Sequence, residues 1–227
     1  MKAMILAAGR GKRLGELTQY TPKPLLKIGN QSLIEYRLRA FAAVNITHVV
    51  INVCHLAKQI ITALGDGSRY GVTIHYSYEP MPGGLETGGG IFQALTLLGQ
   101  EPFIVINADI WTDYPLQQLI ARAKKFNSLA HAVLVNNPTH NPSGDFSLQN
   151  GLVKEQGEPR FTYAGITLYH PKLFENCKAG HFRVMPLLRQ AMTQQQVTGE
   201  HYQGCWFDVG TPESLDLLQK RFAAASI

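Results

Sequence analysis

Met4-Ile5-Leu6-Ala7-Ala8-Gly9-Arg10-Gly11-Lys12-Arg13-Leu14 opens the chain with an apolar run that passes directly into a glycine-rich, basic turn. The apolar run reads as a short strand, and glycines at 9 and 11 let backbone N–H groups approach an anion closely. Lys12, Arg13 and, after a polar stretch, Lys23 supply the positive charge that a row of phosphates needs. Spacing excludes two other phosphate turns. A dinucleotide fingerprint wants glycine at position 14, where this chain has leucine, and a Walker A loop needs a Gly-Lys-Ser/Thr ending that is absent here. Pro22 and Pro24 fix the backbone on both sides of Lys23 and limit where its ammonium swings.

Outward from this turn, strand and helix signals alternate. Ser32 followed by Glu35 is a capping-box signature, and Ile34, Leu38, Phe41 and Ala42 share one face of a helix predicted over 33–43. A β-rich run at 47–53, a helix at 55–64 stopped by Gly65, and an alternating strand at 72–78 follow. Thr87 or Gly88 opens another helix that ends near Gly99. Phe103-Ile104-Val105-Ile106 reads as a central strand buried on both faces, delivering Asn107 and Asp109 at its C-terminal end, where α/β sheets bind ligands. A helix near 116–125 and a strand near 130–135 complete an alternating half, the pattern of a doubly wound, mostly parallel sheet.

After residue 136 the composition becomes loop-like, and Asn150-Gly151 between Phe146 and Val153 signals a hairpin. Strands near 145–149, 152–155 and 161–168, a helix near 185–194, a strand running into Asp208 and a final helix opened by Thr211-Pro212-Glu213 make a less regular second half. The expected organisation is one domain over 1–227, with an alternating half at 1–135 and a less regular half at 136–227.

The net charge of +5 is local in origin: residues 1–39 hold eight Lys or Arg against Glu16 and Glu35, whereas the rest of the chain is nearly balanced. A compact basic loop suits a small polyanion; nucleic acid would call for a stripe of charge or interleaved aromatics. Cys54, Cys177 and Cys205 form no CxxC pair and are odd in number, so a disulfide scaffold is not expected and the cytoplasm is the default compartment. No apolar run reaches 18 residues, and no membrane partner is expected. The eight histidines show no HxH or HExxH spacing, which argues against a zinc site.

Five stretches carry a family resemblance: LAAGRGKRL at 6–14, PKPLL at 22–26, LETGGG at 85–90, NAD at 107–109 and FDVGTPE at 207–213. With them the chain resembles the sugar-1-phosphate nucleotidyltransferases over nearly its whole length. That resemblance implies a Rossmann-like, doubly wound, mixed but mostly parallel sheet of the nucleotide-diphospho-sugar transferase type. It implies transfer of a nucleotidyl group from a nucleoside triphosphate to a sugar 1-phosphate with release of pyrophosphate, with Mg²⁺ as cofactor. UTP is the favoured donor, and the alternative is a guanylyltransferase acting on mannose 1-phosphate or another hexose-1-phosphate enzyme.

Residue by residue, the resemblance implies that Gly11, Lys12 and Arg13 wrap the triphosphate and that Lys23 touches the α-phosphate, making Arg13 and Lys23 the catalytic cations. Backbone around Ala8, Gly9 and Gly88 would hold the base, and Asn107 would lie near ribose and phosphates. Asp109 and Asp208 would bind Mg²⁺, while Asp145 and Gly165 would meet the sugar. Ala108 departs from the glycine usual before the metal aspartate, and its Cβ is expected to shift local geometry slightly. An aspartate at a strand end also serves as a turn former or cap, but at 208–211 Thr211 is the better cap. The chemistry itself needs no dedicated base, since the attacking sugar phosphate is already anionic near neutral pH. A non-catalytic sugar-nucleotide sensor could lose Lys23, Asp109 or Asp208 without penalty, and all three are present.

Overall fold

The computed structural model describes residues 1–225. β1 (Ala3–Leu6) leads into 3₁₀ turns at Lys12–Thr18 and Lys23–Leu25, then a small hairpin of β2 (Lys27–Ile28) and β3 (Gln31–Ser32), then α1 (Leu33–Ala43). β4 (His48–Val53), α2 (Ala57–Leu64), β5 (Thr73–Tyr78), α3 (Glu86–Leu98) and β6 (Phe103–Asn107) follow in alternation. β7 (Ile110–Thr112), α4 (Gln117–Ala123) and β8 (Ala130–Val135) come next. The later part comprises β9 (Phe146–Gln149), β10 (Leu152–Lys154), β11 (Arg160–Tyr169), α5 (Met185–Thr193), β12 (Val197–Tyr202), β13 (Trp206–Asp208) and α6 (Pro212–Ala225).

Nine strands form one sheet in the order β5-β4-β1-β6-β11-β8-β12-β10-β9. β5, β4, β1 and β6 are parallel, as the βα crossovers between them require. β11 then inserts antiparallel between β6 and β8, and β12 pairs parallel with β8. The sheet is therefore mixed, with ten-residue β11 joining the two halves into one surface. Its register shifts between Tyr163 and Thr167, next to Gly165 with φ +69°. A second, two-stranded ribbon of β7 and β13 stands apart from the large sheet.

Apolar layers cover both faces of the sheet. Ile34, Leu38 and Phe41 of α1 are fully buried against one face, with Ile60 and Leu64 of α2. Ile91, Ala94 and Leu98 of α3 join Leu188 and Ala191 of α5 on the other. A third cluster, built from Leu14, Ile28, Leu33, Val209 and Leu218, ties the basic turn to α6. The capping box at the start of α1 forms, with Glu35 Oε2 accepting from Ser32 N at 2.8 Å.

Most boundaries fall within two residues of the sequence reading, and the differences have local causes. α2 starts at Ala57 because Leu56 adopts a left-handed conformation at φ 53°. β7, at three residues, is too short to show a period. β12 is interrupted by Gly199 and carries Glu200 and His201, so neither composition nor alternation marks it as a strand. All three cysteines are free thiols. Among the described residues, no helix is long and apolar enough to cross a membrane.

Candidate active site

Three adjoining cavities open along the C-terminal ends of β1 and β6. One of about 250 Å³ is walled by Gly9, Gly11, Lys12, Arg13 and Lys23 from the basic turn, together with Asp109. A second, of about 320 Å³, lies between Ala8, Asn52, Glu79, Thr87 and Asn107. The third, of about 330 Å³, is bounded by Asn107, Asp145, Gly165, Trp206 and Asp208. Asp109 borders all three, so they form one continuous cleft with a carboxylate at its centre.

The basic turn holds its shape through Gly11, whose φ is +65° and whose absent Cβ would sit 3.0 Å from Thr18 Cγ2. Thr18 Oγ1 donates to Gly11 O at 2.9 Å and closes the turn. Lys23, with its side chain 10% exposed, extends its ammonium 2.5 Å from Asp109 Oδ2. Arg13 packs close to Gly210, where a Cβ would lie 3.0 Å from Nη1. Its side chain thereby borders both the first and the third cavity.

The two aspartates meet because the ribbon brings them together. Asp208 is the last residue of β13 and pairs with Ile110, and Val209 N donates to Asp109 O at 2.9 Å. Burial and the neighbouring Asp109 push the Asp208 carboxyl above the ordinary carboxylate range, against the pull of Lys23, Arg13 and His140. His140 Nε2 lies 3.9 Å from Asp208 Oδ2. Asp109 and Asp208 line one cavity, and the like charge that raises the Asp208 pKa is the kind of repulsion that a shared divalent cation relieves. The described residues contain no cluster of three or more His, Cys, Asp or Glu, so a cation held by Asp109 and Asp208 would take its other ligands from water and phosphate oxygens.

Asp145 is exposed at the third cavity, where Oδ2 accepts from Tyr163 N at 2.8 Å. Gly165 is required sterically, since a Cβ there would fall 2.3 Å from Ile110 Cδ1 and 2.6 Å from Asn107 Nδ2. It therefore sets the position of Asn107 as well as lining the cavity. Gly88 follows Thr87, which lines the second cavity, and a Cβ on it would fall 2.5 Å from Phe182 Cδ2, so its smallness allows packing against the 180–182 segment. The neighbouring wall of the second cavity is formed by Gly83, Glu86 and Thr87. Glu86 lies within 3.8 Å of Arg183. Ala108 is 2% exposed and packs in the core beside the sheet.

Sequence reasoning missed a buried pair at the second cavity. Asn52 at the end of β4 accepts from Ala7 N at 2.7 Å and donates through Nδ2 to Glu79 Oε1 at 2.6 Å. Glu79 Oε2 accepts from Leu85 N at 2.7 Å. These three bonds tie the end of β1 to the start of α3, and Gly90 is small because a Cβ would lie 2.3 Å from Glu79 Oε1. A polar residue after an apolar strand is a weak signal, and nothing in the sequence marks 52 and 79 as partners. Glu79→Ala leaves Leu85 N and Asn52 Nδ2 without their acceptor, at about 1–3 kcal/mol each. The expected result is a KM for the nucleotide raised about tenfold or more with a smaller change in kcat, read by steady-state kinetics.

A family model described as nucleotidyl transferase matches residues 2–223. The chain belongs to the nucleotidyl transferase family. Over 217 residues it is 47% identical to the N-acetylmuramate alpha-1-phosphate uridylyltransferase of Neisseria meningitidis serogroup B, covering 93% of this chain and 94% of that one. The protein of the same name from Caulobacter vibrioides is 31% identical, with 98% and 97% covered. The fold matches the crystal structure of a putative glucose-1-phosphate thymidylyltransferase from Bacillus anthracis at a TM-score of 0.86 and 22% identity, covering 98% of this chain and 95% of that one. As a member of this family the chain is an enzyme, a nucleotidyltransferase whose fold is that of the nucleotide-sugar transferases.

Proposed function

We propose that the enzyme transfers UMP from UTP to N-acetylmuramate α-1-phosphate, producing UDP-N-acetylmuramate and pyrophosphate, in the cytoplasm, as a step of peptidoglycan recycling. The observation that carries this reading is the 47% identity, over nearly the full length of both chains, to a relative named for that activity. The cleft supports it by joining a basic phosphate cavity, a base-side cavity and a sugar-side cavity at Asp109.

In this reading residues 1–135 bind the nucleotide and residues 136–227 bind the sugar and complete the metal site. Gly9, Gly11, Lys12 and Arg13 cradle the triphosphate, and Ala8, Gly9 and the start of α3 around Gly88 hold the base. Asn107 orients ribose and phosphates; Asp145 and Gly165 face the sugar. Lys23 and Arg13 contact the reacting phosphate and the leaving pyrophosphate, where they offset charge that builds as the P–O bond breaks. Mg²⁺, held by Asp109 and Asp208, supplies Lewis-acid charge neutralisation when bound. The phosphate oxygen of the sugar 1-phosphate attacks as the anion, so no residue needs to remove a proton.

Pyrophosphate release across a panel of nucleoside triphosphates and sugar 1-phosphates tests the assignment. UTP with N-acetylmuramate α-1-phosphate is expected to give a kcat/KM at least tenfold above every other pair. Faster turnover of GTP with mannose 1-phosphate would reassign the substrates within the same reaction class.

A further inference from the structure

Arg37 projects from the helix α1 into the core and is 3% exposed. It faces no carboxylate: among the described residues, none of the ion pairs includes it. Its guanidinium instead donates to main-chain carbonyls of β7. Nε and Nη2 each reach Ile110 O at 3.3 Å, and Nη2 also reaches Thr112 O at 3.3 Å. Burial lowers its pKa to about 10, which still leaves it cationic at neutral pH.

The location of those carbonyls gives the contact its meaning. Carbonyls of alternate residues in a strand point to the same edge, and β7 uses the 109, 111 and 113 side to meet β13. Ile110 O and Thr112 O therefore lie on the opposite edge, where no strand pairs with them. Arg37 takes the place of that missing strand. The ribbon it closes carries Asp109 immediately before β7 and Asp208 at the end of β13, opposite Ile110.

We propose that Arg37 is a positioning residue for metal binding, holding β7 so that Asp109 and Asp208 keep the separation a shared divalent cation needs. This inference rests on the reading of Asp109 and Asp208 as metal ligands. A buried charge is here directed at two carbonyls because a planar fork reaches both at once, which a point ammonium does less well. Ordinary core packing at this position of an amphipathic helix would be met by an aliphatic residue, without the desolvation that a guanidinium incurs.

The test is a Mn²⁺ titration followed by electron paramagnetic resonance, in the presence of α,β-methylene-UTP, on wild type, Arg37→Met, Arg37→Lys and the control Asp109→Asn. Arg37→Met is expected to weaken Mn²⁺ binding about tenfold and to lower kcat by a similar factor, with the KM for UTP changed less than threefold. Arg37→Lys should recover part of both losses. Mn²⁺ curves that superimpose for wild type and Arg37→Met, measured well below each Tm, overturn the inference, as does failure of both Arg37 variants to fold, which would make the residue purely structural. A wild-type site unchanged by Asp109→Asn would instead sink the metal reading beneath it.

Discussion

Lys23→Ala is expected to lower kcat by about 10²–10³-fold, the range for removing one preorganised charge-stabilising donor. The structure explains why the loss should be concentrated in catalysis. Lys23 lies between two prolines and is 8% exposed as a residue, so its ammonium is held in place before substrate arrives. Its partner is Asp109, at 2.5 Å, at the centre of the cleft. In the variant that carboxylate keeps partial solvent access, with its side chain 28% exposed, which limits the destabilisation left by the broken pair. The expected change in Tm is therefore a few degrees, measured by differential scanning calorimetry beside the kinetics. Equal loss of folding and turnover would mean that Lys23 is a core residue rather than a catalytic cation.

Asp208→Asn is expected to abolish at least about 10³-fold of the activity and, in the metal-free protein, to raise stability near neutral pH. The sign follows from the raised pKa. Folding favours the protonated form of Asp208 because burial and Asp109 oppose its charge. The stabilisation tied to that proton is fully present below the unfolded-state pKa, and it is lost as pH rises through the higher folded-state value. An asparagine carries no charge to desolvate and escapes that loss. With EDTA present, the variant and wild-type Tm values should converge near pH 4 and separate toward pH 8, with the variant higher. A separation of a few degrees corresponds to roughly 1 kcal/mol in a chain of this size. A variant less stable than wild type at pH 8 would show that Asp208 is held by favourable interactions rather than in a strained, metal-ready state. Saturating Mg²⁺ and UTP should narrow or reverse the difference, since wild type, with both carboxylates, gains more binding energy from the metal than the variant does.

Arg37, Asn52 and Glu79 share one physical character that explains why each escaped notice in the sequence. Each is a buried polar side chain whose hydrogen bonds join separate segments: Arg37 to Ile110 O, Asn52 to Ala7 N, and Glu79 to both Asn52 Nδ2 and Leu85 N. Arg37 falls between Ile34, Leu38 and Phe41, which by themselves suffice to predict the helix. Nothing local distinguishes a buried arginine from one at the solvent edge of such a helix. Gly88 is the converse case. Its conspicuous triplet signals close approach, and the structure shows Phe182 and Gly180 packed where Cβ atoms on Gly88 and Gly89 would lie.

Most of the order of elements, the glycine-rich turn after β1, the capping box at Ser32 and the buried strand at Phe103–Asn107 were legible from the sequence, because period, glycine spacing and helix capping are set by neighbours a few residues apart. The antiparallel entry of β11 into the sheet, the ribbon that brings Asp208 beside Asp109 across roughly 100 residues, and the buried contacts of Arg37, Asn52 and Glu79 were decided only by tertiary structure. Those features arise when buried donors and acceptors from distant segments must satisfy one another, and no local pattern records which pairs will meet.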